Sequence, residues 1–146
     1  MKKIIIGTHG HLSKAFIETA KLIAGDDIEV NYLCMTKGKS VAEAEQEARS
    51  LLEADGQDCK VIVLTDVLGG SVANLFTALL QSYHFDLITG VNLPMVLTAL
   101  LSVTNHSSGE LIQEIITEAR NGIQYVNDLI DEADKGDDLD DLINEG

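Results

Sequence analysis

The sequence predicts an α/β fold built on an open, mainly parallel sheet, and three observations carry that prediction. Ile4-Ile5-Ile6 and Val61-Ile62-Val63-Leu64 are unbroken apolar runs rich in β-branched residues, the composition of strands buried on both faces. A segment of helical apolar spacing follows each strand, four times in succession, which is the alternation of a parallel sheet. Reactive residue types fall just past the two apolar runs, in Gly7-Thr8-His9-Gly10 and in Asp66 to Ser71. Ligands gather outside the carboxyl ends of such strands. The expected architecture has three layers, strand order 2-1-3-4, helices on both faces, and the two most apolar strands adjacent at the centre.

The first strand leads in from Lys2-Lys3 and stops being apolar at Gly7. Leu12, Ala15, Phe16, Thr19, Ala20, Leu22 and Ile23 then recur at helical spacing, and Gly25 ends the run. Ile28 to Cys34 begins by alternating apolar and polar, as a less buried strand does. Lys37-Gly38-Lys39 makes a turn, and Ser40-Val41-Ala42-Glu43 is a capping box opening a helix to about Ala54. The other apolar strand runs from Cys59 to Thr65, followed by a helix over Val72 to Ser82 and a short strand over Phe85 to Thr89. Pro94, the only proline, suits the first turn of the next helix, which ends near Ser102. Ser107 and Glu110 form a second capping box for a helix to Arg120, with Gly122 past its end. Gly122 to Val126 has the composition of one more strand. Residues 1–126 read as one domain and 127–146 as an acidic tail.

A chain of 146 residues suits a single domain with room for a real core. Apolar residues make up 45% but aromatics only 4%, so that core must be aliphatic. No apolar run reaches the ~20 residues that cross a bilayer, and the run after Lys2-Lys3 is too short for a signal peptide. Cys34 and Cys59 lack CxxC spacing and read as the reduced thiols of a cytoplasmic protein. Nine acids from Asp128 onward, against Lys135 alone, supply −8 of the net charge of −14. Such a balance repels nucleic acid and anionic membranes, and the tail is expected to be solvated and mobile.

With the two apolar strands adjacent, His9 and Asp66 face one crevice. A carboxylate accepting the Nδ1 proton of His9 would orient the ring and leave Nε2 as a nucleophilic lone pair. Gly69 and Gly70 let backbone approach an anion closely. The amides of Gly70, Ser71 and Val72, with the Ser71 hydroxyl, form a cradle for phosphoryl oxygens at a helix start. A nucleophilic imidazole facing a phosphate cradle describes a phosphoryl-accepting histidine. No metal or other cofactor is expected, because amides and a hydroxyl carry the electrostatic role. The bland alternative is an Asx turn at Asp66 and a close-packing Gly-Gly.

Three segments resemble, in order and spacing, the signatures of one family. They are Gly7-Thr8-His9-Gly10, Asp66-Val67-Leu68-Gly69-Gly70-Ser71 with Asn74, and Gly90-Val91-Asn92-Leu93-Pro94-Met95. The family is the IIA component of the mannose-family phosphoenolpyruvate:sugar phosphotransferase system. The likeness runs from Met1 to about Val126. It implies a cytoplasmic homodimer in which His9 is transiently phosphorylated, with the phosphocarrier HPr as donor and a histidine of a IIB domain as acceptor. Membrane IIC and IID components are reached indirectly. The resemblance also implies that the last strand, Gly122 to Val126, crosses to the partner subunit. Thr8, His11, Leu68 and Asn92 are expected on the surface that meets partners. Leu68 and Val72 stand where many members carry an aromatic residue and a proline.

Rival readings keep some of these residues. Ser71, His9 and Asp66 are triad residue types for an esterase, but Gly69-Gly70-Ser71-Val72-Ala73 is not the full G-x-S-x-G elbow. His9-x-His11 is a weak metal signal, and no Walker lysine follows the glycines. His84 and His106 carry no specific role, and Arg120 compensates a helix dipole. The same fold also serves a phosphotransfer subunit feeding a dihydroxyacetone kinase, or a regulatory sensor of phosphorylation state.

Overall fold

The computed structural model describes residues 2–54, 59–102 and 107–136. Four strands, β1 (Lys2–His9), β2 (Asn31–Met35), β3 (Lys60–Thr65) and β4 (Asp86–Ile88), alternate with helices α1 (Leu12–Ala24), α2 (Val41–Glu53), α3 (Ser71–Leu79) and α4 (Leu93–Leu101). Helices α5 (Ser108–Asn121) and α6 (Val126–Gly136) follow. The strands pair in parallel in the order β2-β1-β3-β4, as expected. The winding direction reverses between β1 and β3, and the crevice at their carboxyl ends is the switch point where α/β sheets place ligands.

Side-chain alternation along β1 divides the core in two. Ile4 and Ile6 join Ile62, Leu64 and Ile88 under α1, α4 and α5. Ile5 turns the other way, with Leu33, Val61 and Val63, against Ala48 of α2 and Val72, Phe76 and Leu79 of α3. Each large side chain buried this way contributes about 1.5–3 kcal/mol. Both capping boxes form: Ser40 Oγ accepts from the Glu43 amide at 3.1 Å and Ser107 Oγ from that of Glu110 at 3.3 Å.

The element boundaries differ from expectation in instructive places. Gly7 does not end β1, which continues to His9 by pairing Gly7–His9 with Leu33–Met35. The glycine is there for packing, since a Cβ on it would lie 2.9 Å from the Phe76 ring and 3.1 Å from Val72 Cγ1. Strand β2 starts only at Asn31, and the preceding Ile28 and Val30 pack against the core without joining the ladder.

The largest departure lies at the C-terminal end. Gly122 to Val126, expected to be a strand, is not one in the single chain. Residues 122–125 are irregular, and Val126 already opens α6. Strand propensity alone gives Ile123, Tyr125 and Val126 no ladder to join, and they stand 75%, 67% and 58% exposed. The acidic tail, expected to be solvated and mobile, begins as this helix. Asp128, Asp131, Glu132 and Asp134 are exposed while Ala133 is buried. The acids beyond Gly136 lie outside the described residues.

Phe76 anchors the α3 side of the sheet, fully buried, with its ring edge-on to Phe85 at a centroid distance of 6.2 Å. Phe76→Ala is expected to cost about 3–5 kcal/mol of stability, read from urea denaturation. A loss below about 1 kcal/mol would mean that this side of the core collapses without penalty.

Candidate phosphoryl-acceptor site

The β1–β3 register, Gly7 opposite Thr65, delivers His9 and Asp66 to the same end of neighbouring strands. Asp66 Oδ2 accepts the backbone N–H of His9 at 2.9 Å and lies 2.8 Å from its ring Nδ1. Its other oxygen accepts the Val67 amide at 3.0 Å. An ionised Asp66 can only accept, so the ring carries its proton on Nδ1 and presents the Nε2 lone pair outward. Ser71 Oγ lies 3.0 Å from Nε2 and donates to that lone pair. The His9 side chain is 49% exposed, whereas that of Asp66 is only 11% exposed. The imidazole thus faces solvent while the carboxylate that orients it is enclosed.

Burial of Asp66 pushes its carboxyl up, but the His9 amide, the His9 ring and the Val67 amide outweigh this and hold it below the ordinary carboxylate value. The group therefore remains a charged acceptor under the conditions in which a histidine works as a nucleophile.

The second loop is shaped to approach the ring. Gly69 has φ +84°, a conformation costly for other residues, and its carbonyl accepts from Asn74 Nδ2 at 3.1 Å. A Cβ on Gly70 would lie 3.0 Å from His9 Cε1 and 3.1 Å from the Val67 carbonyl, so a side chain there would have to push the ring or the turn aside by a few tenths of an ångström. The expected cradle needs one correction. The Gly70 amide is already used by the Val67 carbonyl at 3.0 Å. The amides of Ser71 and Val72 open α3, which has no side-chain cap, and are the donors left for an incoming anion.

Two of the residues assigned to the partner surface do other work. Thr8 is fully buried, and its Oγ1 accepts the Ser13 amide at 2.7 Å, capping α1 from outside the helix. Asn92 is half-buried and hydrogen-bonded at both ends of its amide. Leu68 does reach solvent at 81% exposure, and His11 is exposed at the start of α1. The sequence signals the turn-holding bond of Asn74 only through an asparagine placed one turn into a helix that begins Gly-Gly-Ser. Among the described residues no cluster of three metal-ligating side chains forms. His84 is exposed, and His106 lies outside the described residues.

The Asp66 carboxyl implies a pH signature. Because its folded value is depressed, its contribution to stability is present above the unfolded value near ~4 and is lost as pH falls through the folded value. The stability difference between wild type and Asp66→Asn should be constant near neutral pH and shrink below about pH 4, followed by urea midpoints across pH. A difference that does not change with pH would show that the charge of Asp66 plays no part in the fold.

A family model described as "PTS system fructose IIA component" matches residues 3–116. The chain is 26% identical over 123 residues to the mannose-specific EIIAB component of Escherichia coli K12, covering 83% of this chain but only 38% of that longer protein. It is 26% identical to the sorbose-specific EIIA component of Lacticaseibacillus casei, over 80% of this chain and 83% of that one. The crystal structure of the phosphotransferase system component EIIA from Streptococcus agalactiae superposes with a TM-score of 0.79 at 30% identity, covering 87% of this chain and 98% of that one. No helix among the described residues is long and apolar enough to cross a membrane. A strand order of 2-1-3-4, a histidine held by an aspartate across its two central strands, and a family match over most of the length lead to one assignment: the chain belongs to the IIA components of the mannose-family sugar phosphotransferase system.

Proposed function

We propose that the chain is a cytoplasmic phosphocarrier that takes a phosphoryl group from HPr on His9 Nε2 and passes it to a histidine of a IIB domain, serving sugar uptake. The observation that carries this reading is the line Asp66 Oδ2–Nδ1 at 2.8 Å and Nε2–Ser71 Oγ at 3.0 Å. The Nε2 lone pair forms the new P–N bond while the donor's P–N bond breaks and its electron pair returns to the donor ring. His9 becomes an imidazolium that still carries its Nδ1 proton, and the Asp66 carboxylate stabilises that charge. Ser71 turns its hydroxyl from Nε2 to a phosphoryl oxygen, assisted by the amides at the start of α3. Transfer to the acceptor reverses these steps. Exposed Leu12, Val41, Val67 and Leu68 supply an apolar surface for protein partners.

The same three side chains also form a Ser–His–Asp line, which favours an acyl-transfer reading in second place. Ser71→Ala separates the two. It abolishes hydrolysis of an activated ester, whereas it only slows phosphoryl transfer by roughly 10²-fold.

His9→Ala is expected to abolish phosphorylation by phospho-HPr, while His11→Ala leaves it intact and Asp66→Asn slows it strongly without unfolding the domain. Acid-labile phosphate is the measurement. Its persistence on the His9 variant would sink the assignment, and an unchanged rate for the Asp66 variant would reduce that residue to a turn former.

The homodimer belongs to the same proposal. The exposed Ile123, Tyr125 and Val126 support it, as does the open outer edge of β4. Adding 122–126 to a neighbouring subunit's sheet would bury them and close that edge. A chain ending at Asn121 should then sediment as a monomer of lowered stability, and one ending at Gly136 as a dimer. A stable dimer from the shorter chain would exclude the exchange.

A further inference from the structure

The third loop, Gly90 to Pro94, touches neither His9 nor the Asp66 carboxylate in any hydrogen bond, yet it holds the backbone that carries Asp66. The Gly90 amide donates to the Asp66 carbonyl at 2.9 Å and the Val91 amide to that of Thr65 at 3.0 Å. Immediately beyond, Asn92 divides its amide between two helices. Its Oδ1 accepts the Met95 amide at 2.9 Å, capping α4, and its Nδ2 donates to the Ala119 carbonyl of α5 at 2.9 Å. At the end of α5, Gly122 lies so close to Pro94 that a Cβ would stand 2.6 Å from the proline Cγ. A cavity of about 290 Å³, bordered by Gly90, Asn92, Met95, Ile116 and Arg120, lies beside the loop. Close packing therefore does not hold the loop on that side, and polar and steric ties to α5 do so instead.

We propose that Asn92 is a positioning residue for the phosphoryl-acceptor site: it braces the Asp66 backbone against the end of α5, with Gly122 against Pro94 as the second point of the brace. The inference rests on the reading of His9 as the acceptor. It adds a route by which the C-terminal end of α5 acts on the His9–Asp66 pair. Movement of Ala119 or Gly122 is passed through Asn92 and Pro94 to Gly90 and Val91, and so to the carbonyls of Asp66 and Thr65. An Asp66 displaced by a fraction of an ångström no longer accepts both His9 protons, and Nδ1–H loses its advantage over the other tautomer. Misplacement of that kind acts on the rate of transfer rather than on the affinity for a partner.

Asn92→Ser is the diagnostic change, because serine caps a helix about as well as asparagine but is too short to reach Ala119. Gly122→Ala disturbs the other point of the brace, at a backbone conformation (φ −70°, ψ −14°) that alanine adopts freely. Ring nitrogen shifts of His9 report the tautomer directly, without any partner protein. Both variants should lower the Nδ1–H fraction, and both should lose that effect in an Asp66→Asn background. Transfer from phospho-HPr should slow between about 10- and 100-fold through kcat, with KM unchanged. Lower melting temperatures with unchanged His9 shifts would make Asn92 a structural cap only and overturn the proposal. An equal effect with and without Asp66 would also overturn it. Failure of the wild type to be phosphorylated would count against the phosphocarrier reading, and the ring shifts would still decide the brace.

Discussion

The parallel pairing of β1 with β3 is the constraint on which the site depends. Ladder hydrogen bonds set Gly7 opposite Thr65, so His9 and Asp66 end neighbouring strands in the crevice where the sheet reverses its winding. From that register a single carboxylate oxygen reaches both the backbone amide and the ring nitrogen of His9. The double contact fixes the position of the residue and the tautomer of its ring together. Without the register, neither loop contains enough structure to hold an imidazole in one orientation.

Glycines set the third member of the site by what they leave out. A Cβ on Gly7 in β1 would clash with Phe76, and one on Gly70 before α3 would press on the His9 ring at 3.0 Å. Their absence of side chain lets α3 settle low on the sheet and bring its leading amides and the Ser71 hydroxyl to the imidazole. Packing and chemistry thus share one cause. The aliphatic core under α3, with Phe76 at its centre, holds the helix where the hydroxyl is useful.

The charge distribution suits the proposed carrier role. The net charge of −14 is concentrated toward the C-terminal end, where the first turns of α6 expose Asp128, Asp131 and Glu132. In the loop between β3 and α3 that carries Asp66, Val67 and Leu68 are exposed apolar side chains, at 57% and 81%. In the proposed transfer a phosphoryl group leaves one imidazole for another with water excluded, and apolar side chains beside the site would serve that end.

Much of this was legible in the sequence because it rests on local periodicity and on residue types with few physical alternatives. Unbroken Ile and Val runs select buried parallel strands, and the two capping boxes mark helix starts by side-chain chemistry alone. A histidine and an aspartate just past the two most apolar strands select the crevice. Other features depend on contacts that a linear reading does not contain. Gly7 reads as a strand end, but the register carries β1 to His9 and the glycine serves Phe76, 69 residues away in the chain. Thr8 and Asn92 read as surface polar residues, yet one caps α1 and the other joins α4 to α5, because only the folded chain shows which backbone amide or carbonyl each can reach. Ile123 to Val126 has strand propensity, and propensity becomes a strand only beside an unpaired edge. In the single chain that segment follows α5 without pairing to the outer strand β4, so it runs exposed into α6.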